Sequence, residues 1–137
     1  MKPLCKARVI RGKPFFWPIL KARFKPKNPQ DVIIAFAGRI YAEVPLGPPM
    51  VRHEMTHLIQ QGSLFGAIRW WIRYLASSKF RYEQEAAAYR AQYQMFAEVV
   101  KDRNKRAIYA MDCAEKLSGP LYGDVVSLPE ALKAITQ

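Results

Sequence analysis

The stretch Pro48-Pro49-Met50-Val51-Arg52-His53-Glu54-Met55-Thr56-His57-Leu58-Ile59-Gln60-Gln61-Gly62 decides how this chain is read. Proline is tolerated in the first turn of a helix and glycine is favoured just past its end, so Pro48-Pro49 opens a helix and Gly62 closes it. His53 and His57 are the only 2 histidines in the chain, and they stand four apart with Glu54 between them, an H-E-x-x-H arrangement. Residues four apart on a helix differ by about 40° of rotation and one turn of rise, so both imidazoles leave the same face. Two ring nitrogens can then reach one Zn2+ ion at about 2.0–2.1 Å. Glu54 is rotated about 100° from His53. It can lean beside the metal without ligating it and hold the attacking water, which is general-base geometry for a zinc hydrolase.

Upstream of this helix, the pattern changes to short extended pieces. Eight of the ten prolines lie in the first 49 residues, a density that forbids long helices and favours strands and turns. Lys6–Arg11 alternates and reads as a short strand, and Ile19–Phe24 reads as another. Val32-Ile33-Ile34-Ala35-Phe36 and Ile40-Tyr41-Ala42-Glu43-Val44 are β-rich, and Ala37-Gly38-Arg39 can turn between them, which predicts a hairpin. Downstream, the apolar positions recur with helical spacing. Leu64, Ile68, Trp71, Ile72 and Leu75 form one apolar face, read as a core-facing stripe. Trp70, Trp71 and Tyr74 beside Arg69 and Arg73 would also suit a membrane-surface helix, but a core role accounts for them better. Helices are further predicted from Phe80 to about Lys101 and from Arg106 to Ser118, the latter carrying Ile108, Met111, Ala114 and Leu117. Ser127-Leu128-Pro129-Glu130 is a capping-box start for a last short helix. The expected architecture is α+β: a small N-terminal antiparallel sheet followed by a helical body of four to five helices. It is one domain over residues 1–137, with a basic, proline-rich segment at 1–30 and the catalytic core at 31–101.

Composition narrows the class. The 22 Lys+Arg residues outnumber the 11 Asp+Glu, for a net charge of +11. The chain is half hydrophobic, too apolar for intrinsic disorder. Its 2 cysteines are too few for a disulfide scaffold. Cys113 is expected as a small buried residue, while Cys5 says nothing. No signal-peptide core and no membrane-spanning run is present, so a cytoplasmic location is expected. Nine of the basic residues fall within residues 1–30, which hold no acidic one; residues 31–137 carry 13 basic and 11 acidic residues. Lys21, Arg23, Lys25 and Lys27, interleaved with Phe15, Phe16, Trp17 and Phe24, are the candidates for nucleic-acid binding, although a solvated edge explains them more simply.

A third metal donor must come from elsewhere in the chain. With no third histidine, a carboxylate is the usual choice. Tyr82-Glu83-Gln84-Glu85-Ala86-Ala87-Ala88-Tyr89 offers Glu83 and Glu85, of which one can face the metal. Gln61, four after His57, is a candidate to support the site or line its cleft.

His53-Glu54-Met55-Thr56-His57 followed by an E-x-x-A segment resembles the gluzincin-type zinc metallopeptidases. More narrowly, it is similar to small single-domain, zincin-like metallopeptidases of phage and bacterial genomes. The resemblance covers about residues 32–95. It implies that the third zinc ligand is the Glu of E-x-x-A, best matched by Glu85-Ala86-Ala87-Ala88, with Glu83 as the alternative. Tyr89 then stands where many members carry an Asp that orients a zinc-bound histidine. It also implies a peptide or protein substrate, laid as an added strand along the edge of Ile40–Val44, with Glu54 passing a proton to the leaving amine. Tyr89, Tyr93, Tyr41 and Arg90 are the candidates to stabilise the oxyanion. The rival expectation is a basic module that binds nucleic acid or a phage assembly through a structural or degenerate zinc site.

Overall fold

The computed structural model describes residues 7–137. Three short strands and six α-helices follow one another in the order β1 (Arg8–Ile10), α1 (Trp17–Phe24), β2 (Ile34–Phe36), β3 (Arg39–Tyr41), α2 (Pro48–Gln61), α3 (Leu64–Ala76), α4 (Ser78–Val99), α5 (Arg103–Leu117) and α6 (Leu128–Thr136). The α+β class is as the sequence predicts, and the expected Ser127–Glu130 capping box is formed at the start of α6.

The predicted hairpin forms between β2 and β3, with Ala35 opposite Ile40. Its turn is the two-residue Ala37-Gly38, with φ values of 50° and 80°. Two central residues at positive φ are what a tight hairpin needs to match the twist of its strands, and Gly38 takes that conformation without strain. The sheet as a whole is mixed rather than antiparallel, because β1 lies parallel to β3 on its other side. β3 is therefore the central strand, in the order β1-β3-β2, and Ile40 is completely buried. The peptide-binding edge expected on Ile40–Val44 does not exist on β3; the edges belong to β1 and β2.

Residues 19–24, expected as a strand, form most of the helix α1. Pro18 occupies its first turn, where the missing N–H costs nothing, so this proline starts the helix. Lys25, at φ 47°, turns the chain out of the helix, and Pro26 prevents its continuation. Asp102 caps α5 by accepting from the Asn104 and Lys105 amides, which starts that helix three residues ahead of the predicted Arg106.

The apolar stripes were partly misassigned. On α3 the buried residues are Ala67, Trp70 and Tyr74, whereas Leu64, Ile68 and Ile72 face outward. On α5 Ala114 and Leu117 are buried as expected, together with Ala110 and Cys113, but Ile108 and Met111 are exposed. Two buried clusters result. One joins α4, α5 and α6 through Tyr89, Cys113, Ala114, Leu117, Tyr122, Ala131 and Ile135. The other joins α3 and α4 through Trp70, Tyr74 and Phe80, with Phe24 of α1 packed on it. Helix α2 lies along α4 between them, and fully buried Ala88 keeps that approach close. No helix among the described residues is long and apolar enough to cross a membrane.

Candidate metal centre

A helix that packs on a core normally buries an apolar stripe. The buried residues of α2 are instead His53, Glu54, His57 and Gln61, all polar. Burying such groups is unfavourable unless each finds a partner, and each of the histidines and Gln61 does.

His53 and His57 meet Glu85, which enters from α4. His53 Nε2 stands 3.0 Å from Glu85 Oε2, His57 Nε2 3.3 Å from Glu85 Oε1, and the two Nε2 atoms 3.2 Å from each other. Glu83, the alternative donor, points away: it is exposed and lies 4.0 Å from Lys79. Aromatic rings wall the histidines on both sides, Tyr89 against His53 at 4.6 Å between centroids and Trp70 against His57 at 5.2 Å.

The other ring nitrogens determine what these three groups can hold. His57 Nδ1 lies 2.9 Å from Gln60 Oε1, whose own amide nitrogen donates to the Gln84 carbonyl. A carbonyl only accepts, so Gln60 must turn its oxygen to His57, and His57 Nδ1 carries the proton. His53 Nδ1 lies 2.8 Å from Gln92 Oε1, and the Gln92 amide nitrogen donates to the Tyr109 hydroxyl. With both Nδ1 atoms acting as donors, two neutral rings direct Nε2 lone pairs at each other and at a carboxylate. Three electron-pair donors then converge on one point, where their mutual repulsion must be balanced. Either a ring takes up a second proton or a cation sits there.

The spacing suits a cation. Donors bound at about 2.0–2.1 Å to a tetrahedral ion stand roughly 3.3 Å apart, close to all three separations. Two imidazoles and one carboxylate, each hydrogen-bonded from behind, form a donor set that zinc accepts. Tyr74 supports the third donor by donating its hydroxyl proton to Glu85 Oε1 at 2.8 Å.

Electrostatics agree with the geometry. Burial alone would raise the Glu85 pKa, but His57 and His53 hold it well below the usual carboxylate range. Burial likewise would lower that of His57, but Glu85 raises it to about 9 in the metal-free site. Glu54 is raised, chiefly by burial, against the lowering effect of the two histidines.

A cleft of about 330 Å³ adjoins the cluster, and His53, Glu54, Glu85 and Tyr89 line it. Its remaining wall is mostly apolar and comes from distant parts of the chain: Trp17, Leu20 and Phe24 of α1, Ile33 and Ile34 at the start of β2, and Leu121 and Tyr122 after α5. Residues 17–26 of the basic segment are thus not separable from the site they precede.

Several side chains differ from their predicted roles. Gln61 neither touches the cluster nor meets solvent. Its amide nitrogen donates to the Ala35 carbonyl at 2.8 Å and its oxygen accepts from the Ala37 amide at 3.2 Å, tying α2 to the hairpin. Of Tyr41, Tyr89, Tyr93 and Arg90, only Tyr89 lines the cleft, with its ring edge-to-face against Tyr122; Arg90 is on the surface, bonded to the Gln137 carbonyl. Lys21, Arg23, Lys25 and Lys27 are all exposed, on and just beyond α1. Cys113 is buried in α5, apart from the cluster, and Cys5 lies outside the described residues. Gln60 and Gln92 were not singled out in the sequence, and Tyr74 was read as a core residue, not as a partner of Glu85. Gln60 was the most readable of them, since it follows His57 by three residues on α2 and so neighbours it on the helix surface; Gln92 follows Glu85 by seven and returns to the same face of α4.

No family model, curated protein or solved structure matches this chain.

Proposed function

We propose that this protein is a zinc-dependent hydrolase of the peptidase type, with His53, His57 and Glu85 as metal ligands and Glu54 as general base. One observation carries the reading: three buried donors stand at metal-ligand spacing, and two of them, His53 and Glu85, line a cleft that Glu54 also lines. Three protein donors beside an open cleft are the composition of a catalytic site, whereas structural zinc sites close with four. This favours hydrolysis over the rival of a basic binding module with a purely structural ion.

Zinc bound there supplies a Lewis acid that makes water more acidic and polarises a carbonyl. The protein supplies the rest. Glu54, buried and with a raised pKa, accepts the proton of the attacking water and returns it to the leaving amine. The Gln92 and Gln60 side chains hold the two imidazoles in one tautomer and one orientation. Tyr74 fixes the Glu85 carboxylate. The apolar walls of the cleft exclude water around these charges, which strengthens every interaction among them. A peptide is accommodated beside the residues leading into β2, because Val32, Ile33 and Ile34 line the cleft.

The test is metal content with peptide hydrolysis. The purified protein should hold about one zinc per chain. His53→Ala should abolish binding, while Glu54→Gln should retain the metal and lose hydrolysis by at least about a hundredfold. A natively folded protein that takes up no zinc would refute the proposal.

A further inference from the structure

Helix α3 presents an apolar face to the outside. Leu64, Phe65, Ile68 and Ile72 are 55, 81, 43 and 61% exposed, while Ala67, Trp70 and Tyr74 on the opposite side are buried. On a helix these four outward residues fall within an arc of about 100°, the width of stripe that normally seeks a core. The patch extends beyond the helix. Trp71 packs on Phe16 at 5.4 Å between centroids, and Phe16 packs on Phe15, which is 84% exposed. An apolar surface this continuous is uncommon on a protein with nothing bound to it.

Charge identifies what covers it. Arg69 and Arg73 follow the stripe along one edge, both exposed, and no acidic residue occurs anywhere in α3. The same two arginines, with Gln60 and Gln84, line a polar groove of about 360 Å³ immediately beside the stripe. A convex apolar ridge next to a guanidinium-lined depression reproduces the layout of an anionic phospholipid leaflet, with acyl chains below and phosphates above. A second copy of the chain fits less well. Arg69 lies near the middle of this short helix, so a two-fold contact of α3 with itself sets arginine against arginine.

We propose that the outer face of α3 is a peripheral membrane-binding surface that seats on an anionic phospholipid leaflet, with Phe65 and Ile72 in the headgroup–acyl boundary and Arg69 and Arg73 on lipid phosphates. It lies flat, without spanning. The inference is independent of the hydrolase reading, since none of these four residues touches the His53–His57–Glu85 cluster.

The experiment is vesicle co-sedimentation of the full chain. The protein should sediment with phosphatidylcholine–phosphatidylglycerol vesicles at low salt and remain in solution with phosphatidylcholine alone. Phe65→Ser combined with Ile72→Ser should weaken partitioning at least tenfold, because two apolar side chains lose their burial. Arg69→Gln and Arg73→Gln should each weaken it about fivefold and flatten its salt dependence. Circular dichroism and zinc content should be unchanged in all three variants, since every substituted side chain is exposed. Three results would overturn the proposal. These are no sedimentation of the wild type with anionic vesicles, equal sedimentation of the α3 variants, or a wild-type dimer in sedimentation velocity that Phe65→Ser converts to monomer without any vesicle binding.

Discussion

Gln92 holds His53 from behind: its side-chain oxygen lies 2.8 Å from His53 Nδ1, and its amide nitrogen is anchored 2.7 Å from the Tyr109 hydroxyl. A neutral amide thus does here what a carboxylate does beside many metal-bound histidines. It orients the ring without adding a negative charge.

Removing that support should loosen the metal. Gln92→Ala is expected to weaken zinc affinity about 10–100-fold, as loss of a ligand's hydrogen-bond partner commonly does. Tyr109→Phe should have a smaller effect, since it frees the amide without deleting it. Competition with a chromophoric chelator measures both. An unchanged affinity in Gln92→Ala would show that His53 is oriented by its packing on Tyr89 instead.

The carboxylate pair on α4 gives a sharper contrast. Glu85→Ala removes a buried donor and should abolish tight zinc binding, while Glu83→Ala alters an exposed side chain near Lys79 and should change neither affinity nor stability by more than about 0.5 kcal/mol. Isothermal titration with zinc decides it. The opposite ranking would move the third ligand to Glu83.

Metal-free protein should have its own pH profile. His57, raised from 6.5 to about 9, contributes stability that is fully present below pH 6.5 and lost as pH rises through 9. Glu85 is lowered from 4.5, so its contribution is present above pH 4.5 and lost on acidification. Melting temperature with chelator present should therefore be highest between about pH 4.5 and 6.5 and decline toward pH 9. With zinc in place of the proton, the alkaline decline should vanish. A flat metal-free profile from pH 6.5 to 9 would contradict the burial of this pair.

Two packing positions test how α2 is held. Gln61→Ala leaves the Ala37 amide without its partner and should cost about 1–3 kcal/mol in urea unfolding. Gly66→Ala would set a Cβ 2.0 Å from the Gln61 carbonyl oxygen, so α3 must shift from the end of α2 at a cost of about 1–3 kcal/mol or more. If Gly66→Ala unfolds at the wild-type urea midpoint, the two helices do not meet as described.

Legibility in the sequence followed the strength of local rules. The motif helix was readable to the residue because Pro48 and Gly62 bracket it. The hairpin was readable because Ala37-Gly38 separates two β-rich runs. Helix α1 was not, because proline was taken as a breaker when Pro18 sits in the one turn that accepts it. The α3 stripe was misjudged for a different reason. Periodicity finds an apolar face but not which side is covered, and here the larger rings of Trp70 and Tyr74 won the interior. At the site, His53, Glu54 and His57 came from spacing alone, while the preference for Glu85 over Glu83 rested on the E-x-x-A resemblance, and the packing of α4 on α2 brings Glu85 to the histidines. The contacts of Tyr74 and Gln92 were hard to read because a hydrogen bond across 11 or 39 residues leaves little local pattern, whereas Gln60, three after His57 on the same helix, was within local reach and was passed over.

The wall that α1 contributes to the cleft changes what counts as the smallest working unit. Trimming the chain to residues 31–101 would keep His53, His57, Glu85 and the proposed general base Glu54, yet it would remove Trp17, Leu20 and Phe24 on one side and Leu121 and Tyr122 on the other. The donors would then stand in bulk water, where the effective dielectric constant is several times higher and a buried charge pattern loses most of its force. Such a fragment should still bind a metal loosely, as a short peptide can, and have lost the enclosure that makes the ion chemically useful. In this chain the three donors lie in the middle of the sequence, and the walls that shelter them come from both sides of it.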